Sequence, residues 1–221
     1  MPVRDNLFKI KSSIPQHVTL VAVSKTKSIQ LIQEAYESGH RDFGENYVQE
    51  LVDKYEQLPK DINWHFIGHL QSNKVKYIAP FVYLIHGVDS LKLLQEINKQ
   101  AQKNNRIINC LLQIYIAQEE TKFGFSFEEC YSFFKSHLYA QLNNVNIIGF
   151  MAMASNTDNE LQIRNEFRNF YAFARNNEFL NYNDCMLSFG MSADYKIAIE
   201  EGSNMIRIGS SIFGERNYDK Q

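Results

Sequence analysis

The sequence predicts a single (β/α)8 TIM barrel, on three observations. Short apolar runs alternate with segments of helical period along the chain. Eight such runs can be counted, which favours a closed barrel over an open doubly wound sheet. The 221 residues contain no Pro/Gly/Ser-rich linker and no shift of composition, so residues 1–221 are expected to form one domain.

The expected strands are residues 19–24, 42–45, 64–67, 83–88, 109–115, 146–151, 186–188 and 205–208. Their apolar character suits parallel strands covered by helices. After the first, Ile29, Ile32, Ala35 and Tyr36 recur at helical spacing, and Gly39 stands where a C-terminal cap belongs. Leu91, Leu94, Ile97 and Ala101 form the next stripe. Ser126 and Glu129 have capping-box spacing ahead of an aromatic-rich helix. Phe167, Phe170, Tyr171 and Ala174 make a further stripe, and Ser192 with Asp194 is expected to open a helix that Gly202 closes. All of these stripes are read as core-facing surfaces.

Composition narrows the function. Apolar residues make up 44% and charged residues 22%, which is ordinary for a globular protein. A net charge of -2 offers no basic field to nucleic acid or anionic lipid. No apolar run approaches the roughly 18 residues of a membrane span, and residues 1–16 lack the apolar stretch of a signal peptide. Cys110, Cys130 and Cys185 lie far apart without a CxxC, so they are expected to be buried thiols in a reducing cytoplasm.

In parallel barrels the chemistry gathers at the C-terminal ends of strands. Lys25 closes the first strand there. Partly desolvated, it is expected to have a lowered pKa and to act as a nucleophilic amine suited to a Schiff base; the alternative is a lysine that reaches water or pairs with a carboxylate. After strands seven and eight come the small residues of 188–202 and the run Gly209, Ser210, Ser211. Backbone N–H groups in such segments bind phosphate, or the serines merely cap tight loops. Taken together, the two features suggest a ligand that is both aldehyde and phosphate ester. Alternation points Arg207 into the barrel while Ile206 and Ile208 face the helices, so its partner is a ring nitrogen or a buried carboxylate. Asn46 is a polar group at the barrel mouth after strand two. His65 and His69 resemble half of an HExxH pattern, but His65 falls in a strand and Gly68 breaks the segment, so no metal site is expected. Glu119 and Glu120 are read as a solvated pair in a loop.

Five stretches occur in one order: VAVSKTK (21–27), FGENYVQE (43–50), WHFIGHLQSNK (64–74), LSFGMSADY (187–195) and IRIGSSIFGER (206–216). Together they resemble the pyridoxal phosphate homeostasis protein family. The resemblance implies a fold-type III barrel, like the N-terminal domain of alanine racemase, that binds pyridoxal 5′-phosphate (PLP). It implies Lys25 as the Schiff-base lysine, Ser192, Gly209 and Ser210 in the phosphate-binding segments, and Arg207 facing the pyridine nitrogen. Asn46 and His65 match positions near the pocket, and Met151 is expected to pack near the ring. Two departures are visible. The segment before strand one is short, and Ser28 stands where many relatives have proline.

The same resemblance implies a cytoplasmic, monomeric protein of intracellular vitamin B6 homeostasis. It would hold PLP, make transient contact with apo PLP enzymes, and lack strong catalysis of its own. An arginine at the pyridine nitrogen disfavours its protonation and so weakens the ring as an electron sink. The opposing base of the related racemases belongs to a second domain, for which a sequence ending just after the last motif is expected to leave no room. The alternatives are a PLP-dependent enzyme such as a weak amino-acid racemase, and a phosphosugar enzyme using Lys25 without cofactor.

Overall fold

Strands with apolar residues on both faces must be covered on both, and the chain meets this by closing its sheet. The structure is a computed structural model and describes residues 2–118, 123–176, 180 and 185–215. Its strands are β1 (Thr19–Val23), β2 (Asp42–Glu45), β3 (Asn63–Phe66), β4 (Leu84–Val88), β5 (Ile108–Ile114), β6 (Val145–Ala152), β7 (Met186–Ser188) and β8 (Met205–Ile208). Each pairs with the next in parallel, and β8 returns to β1, with Val21 opposite Arg207. This is the predicted (β/α)8 TIM barrel. Every expected strand is present, with ends displaced by no more than one residue.

The helices are α1 (Val3–Ser13), α2 (Ile29–Glu37), α3 (Val48–Gln57), α4 (Val75–Ile78), α5 (Leu91–Lys103), α6 (Phe127–Lys135), α7 (Glu160–Arg175), α8 (Tyr195–Glu200) and α9 (Ser210–Phe213). The capping box of α6 forms as its spacing predicts. Ser126 Oγ accepts from the Glu129 N–H at 3.1 Å, and Glu129 Oε2 accepts from the Ser126 N–H at 2.8 Å. Helix α1 was not anticipated, yet it buries Val3, Leu7 and Ile10 along one face. The helix expected to open at Ser192 starts later. Asp194 sits at its N-cap and accepts the Met191 N–H at 2.5 Å, folding 191–194 into a turn first. Gly190 makes that turn possible, with φ +99° and no room for a Cβ, which would lie 2.6 Å from Ala198 Cβ. Glu119, Glu120 and Arg216 lie outside the described residues.

Side chains divide by parity along each strand. Leu20, Ala22, Phe43, Trp64, Phe66, Ile206 and Ile208 join the helices in the outer core. Val21, Leu84, Leu111, Met151 and Met205 fill the barrel interior. All three cysteines are free and buried, and burial pushes the thiols of Cys130 and Cys185 up to about 12, which suppresses the reactive thiolate. No helix among the described residues is long and apolar enough to cross a membrane.

Below the barrel, His40 is 2% exposed, and its Nε2 lies 2.9 Å from the Asp42 carbonyl. Burial first, then the Lys11 charge, lowers its pKa from 6.5 to about 4. A histidine whose folded pKa is depressed binds fewer protons than the unfolded chain between those values, so stability rises with pH through that window. His40 should therefore cost the fold about 3 kcal/mol at pH 4 relative to pH 7. Urea unfolding of wild type and His40→Gln at both pH values checks this. The variant should lose clearly less stability on acidification.

Candidate functional site

At the C-terminal end of the barrel, above the interior methionines, a cavity of about 330 Å³ opens. Its lining includes Lys25, Asn46, Ser192, Arg207, Gly209 and Ser210, six of the eight residues singled out from sequence. They come from the ends of β1, β2, β7 and β8, so closure of the barrel gathers positions up to 185 residues apart, Lys25 to Ser210.

Lys25 is held through its backbone. Thr26 adopts φ +62°, and its N–H donates to Glu50 Oε1 at 2.6 Å. On the other side, Lys54 Nζ donates to the Ser24 carbonyl at 2.7 Å. Both clamps come from α3. Lys54 is 4% exposed and also donates to Glu45 Oε1 and Glu50 Oε1, each at 2.7 Å, so all three ammonium hydrogens have acceptors. Ser24 Oγ adds a bond to Glu45 Oε1 at 2.5 Å, while Glu45 Oε2 is buried with no partner among the described residues. Burial, opposed by Lys54, raises the Glu45 carboxyl to about 7. Lys27, which also lines the cavity, donates to the carbonyls of Gly214 and Glu215 at 2.9 and 2.8 Å and fastens the loop after β1 to the turn after α9.

On the loops after β7 and β8, where β8 is the neighbour of β1, the N–H groups of Ser192, Ala193 and Ser210 meet no acceptor among the described residues. The Gly209 N–H donates to Ser192 Oγ at 3.3 Å, which ties the two loops into one cradle. Helices α8 and α9 have six and four residues, so their macrodipoles are small and the individual N–H groups supply the anion affinity. Asn46 Oδ1 is buried and has no hydrogen-bond partner among the described residues. The loop that follows β3 presses on Asn46, because a Cβ on Gly68 would stand 2.4 Å from the Asn46 carbonyl oxygen. Only glycine allows that approach.

Arg207 points inward as its parity requires and is 4% exposed. Its partners among the described residues are not carboxylates. Nη1 donates to the Ser188 carbonyl and Oγ at 2.8 and 2.6 Å, and Nη2 donates to the Ala152 carbonyl at 3.1 Å. Burial lowers its pKa to about 10, which still leaves it cationic at neutral pH.

Two residues singled out from sequence do not line the cavity. Met151 belongs to the apolar layer beneath, and Met153, two residues further along the same face, takes the place at the wall. His65 is fully buried and bonds to His86 at 2.9 Å and Asp42 at 3.2 Å. His69 points elsewhere, 3.2 Å from Asp89 and stacked on Phe123. Sequence reading missed Lys27 and Met153, and it missed the Lys54–Glu45–Glu50 cluster. The one available signal was Lys54, the lone ammonium on the α3 face that also buries Leu51.

The family described as alanine racemase, N-terminal domain, matches residues 2–217. A pyridoxal phosphate homeostasis protein of Aquifex aeolicus is 42% identical over 202 residues, covering 90% of this chain and 87% of that protein. Its human counterpart is 38% identical, covering 91% of this chain and 78% of that protein. Among solved structures, PipY of Synechococcus elongatus with PLP bound has a TM-score of 0.85 at 32% identity, covering 96% of this chain and 100% of PipY. Alanine racemase of Clostridium difficile has a TM-score of 0.78 at 13% identity, covering 99% of this chain and 58% of the racemase, a likeness of fold alone. With its barrel, its ordered motifs and these identities over nearly its whole length, the chain belongs to the pyridoxal phosphate homeostasis protein family.

Proposed function

We propose that the chain binds PLP in the barrel-mouth cavity as one cofactor-binding domain and acts in PLP homeostasis. The carrying observation is the cavity itself. It brings together Lys25, N–H groups on the loops after β7 and β8 and a buried Asn46 oxygen, neither with a partner among the described residues, and Arg207. The volume of about 330 Å³ lies within the range for small-molecule sites.

The residues fit the cofactor group by group. When bound, PLP supplies an electrophilic aldehyde. Lys25 supplies the amine that condenses with it, forming C=N and releasing water. The N–H groups of Ser192, Ala193 and Ser210 hold the phosphate. Asn46 offers its oxygen to a donor on the ligand. Arg207 keeps two N–H groups beyond those it gives to Ser188 and Ala152, and these donate to the pyridine nitrogen, which then has no call for a proton.

Holding without turnover is the second half of the proposal. The ionisable side chains at the cavity wall are Lys25, Lys27 and Arg207; no carboxylate, imidazole or tyrosine among the described residues joins them. That supports a carrier over a racemase, which needs a base opposite the lysine. Delivery to apo PLP enzymes, a monomeric state and a cytoplasmic location complete the reading; free, buried thiols suit a reducing compartment. The test is spectral titration of purified protein with PLP, then borohydride reduction, mass mapping, and transfer to an apo-enzyme. A reduced adduct on Lys25 is expected. Its absence, or turnover of L-amino acids at about 1–10³ per second, would overturn the reading.

A hydroxyl in the cradle gives a sharper prediction. Ser192→Ala removes a hydroxyl that would donate to the phosphate, and with it the bond to the Gly209 N–H that orders two loops. Phosphate affinity should fall about ten- to a hundredfold. Unphosphorylated pyridoxal should be affected far less, and fluorescence titration of both ligands compares them.

A further inference from the structure

Inside the barrel, beneath the cavity floor, five polar side chains form one continuous line. Asp42 Oδ1 lies 3.2 Å from His65 Nε2, and His65 Nδ1 lies 2.9 Å from His86 Nε2. His86 Nδ1 lies 3.0 Å from Ser188 Oγ, which lies 2.6 Å from Arg207 Nη1. His65, His86 and Ser188 are completely buried. The cofactor reading of the cavity does not account for this line, although it ends on a residue of the cavity wall.

We propose that Asp42, His65, His86 and Ser188 form a one-way hydrogen-bond relay that positions Arg207 as a fixed cationic donor to the cavity. The proposal rests on the cofactor reading only for what Arg207 meets there.

The direction follows from both ends independently. A guanidinium only donates, so Ser188 Oγ accepts from Arg207. The serine's buried single proton needs an acceptor, and its one other partner among the described residues is His86 Nδ1, so that nitrogen is the unprotonated one. At the far end a carboxylate only accepts, so His65 carries its proton on Nε2. Burial opposes ionisation of Asp42, but hydrogen bonds from His65 and from Asn63, at 3.0 Å, hold its carboxyl below the ordinary range. His65 Nδ1 is then an acceptor and His86 Nε2 a donor. The two chains of deduction meet at His86 and agree: both rings are neutral Nε2–H tautomers. Burial above all holds His86 well below its ordinary pKa, in keeping with a neutral ring there.

The consequence falls on Arg207. Its hydrogen-bond partners among the described residues are Ser188 and Ala152, and neither offers a carboxylate. Its Nη1 hydrogens are both committed to Ser188, and one Nη2 hydrogen to Ala152. The guanidinium plane is thereby set, with Nε–H and one Nη2 hydrogen left for a ligand. Reversal of the His65–His86 link would set two donors or two acceptors against each other, and reversal of the His86–Ser188 link would leave the buried serine proton without an acceptor among the described residues, each of which is costly. His65, His86 and Ser188 are thus positioning residues.

Nitrogen-15 NMR of the ligand-free protein tests the tautomers directly. Both rings are expected as neutral Nε2–H forms. An Nδ1–H form of either ring, or an imidazolium at His86 at pH 7, would overturn the relay. The second arm compares PLP with its analogue in which CH replaces the ring nitrogen. Wild type should prefer PLP, Ser188→Ala should lose about tenfold of that preference, and Ser188→Thr should restore it. Equal weakening of both ligands in Ser188→Ala would show a merely structural role and defeat the proposal. If wild type binds neither ligand, the cofactor reading fails, and the NMR result alone decides the relay.

Discussion

Lys25→Ala is expected to abolish every borohydride-stable PLP adduct while leaving the circular dichroism spectrum of the folded barrel in place. Among the lining residues only Lys25 and Lys27 carry an amine, and Lys27 Nζ is committed to the carbonyls of Gly214 and Glu215. The cradle of N–H groups is untouched by the change, so PLP should still bind weakly and without the visible band of the linked form. The measurement is mass mapping of reduced wild type and variant, beside equilibrium dialysis of PLP. An adduct that persists in the variant, on Lys27 or elsewhere, would mean that the wrong strand end has been assigned.

The largest effect on stability is expected from Lys54→Met. Removing one member of a buried ion pair leaves the other charge uncompensated and costs about 3–5 kcal/mol. Here Glu45, completely buried, would lose its only cationic partner among the described residues, and the Ser24 carbonyl next to Lys25 would lose its donor. The penalty should depend on pH. The Glu45 carboxyl is already raised to about 7 with Lys54 present, and removing that charge raises it further. An acid with a raised folded pKa binds more protons folded than unfolded, so its stability is retained below the unfolded value near 4.5 and lost as pH climbs through the folded one. Urea unfolding should show Lys54→Met much weaker at pH 8 than at pH 5. The double variant Lys54→Met/Glu45→Gln should recover part of the loss, since both buried charges are gone. A loss under about 1 kcal/mol in the single variant would show the cluster to be dispensable. The rate of PLP attachment to Lys25 should also fall, because the peptide groups on both sides of it are held from α3.

How much of this was readable beforehand differs residue by residue. Arg207 could be aimed into the barrel from parity, because alternation along a strand is local geometry. Lys25 and Ser210 could be placed at the mouth, because strand ends are marked by the change from apolar run to polar loop. Met151 and His65 have the right parity too, yet they lie a layer too deep to line the cavity. Parity says which way a side chain points and nothing about its height along the barrel axis. Height depends on the stagger between neighbouring strands, and the irregular register between β5 and β6 at Cys110 and Leu111 shows how one step alters it. Ser192 was expected to open a helix; instead it bonds to Gly209 of the neighbouring loop, a partner 17 residues on that local spacing could not name.

The order of strands, the closed α/β architecture, the nucleophilic amine at one strand end and the family all stand in the chain as written, since each rests on periodicity or on contiguous motifs. Which polar groups meet belongs to the closed barrel. Ser188 and His86 are 102 positions apart, and Lys54 and Ser24 are 30 apart. Their pairing is imposed by the shear and closure of eight strands and by the need to satisfy every buried donor and acceptor at once. No segment of sequence expresses either condition, because both are properties of the assembled interior.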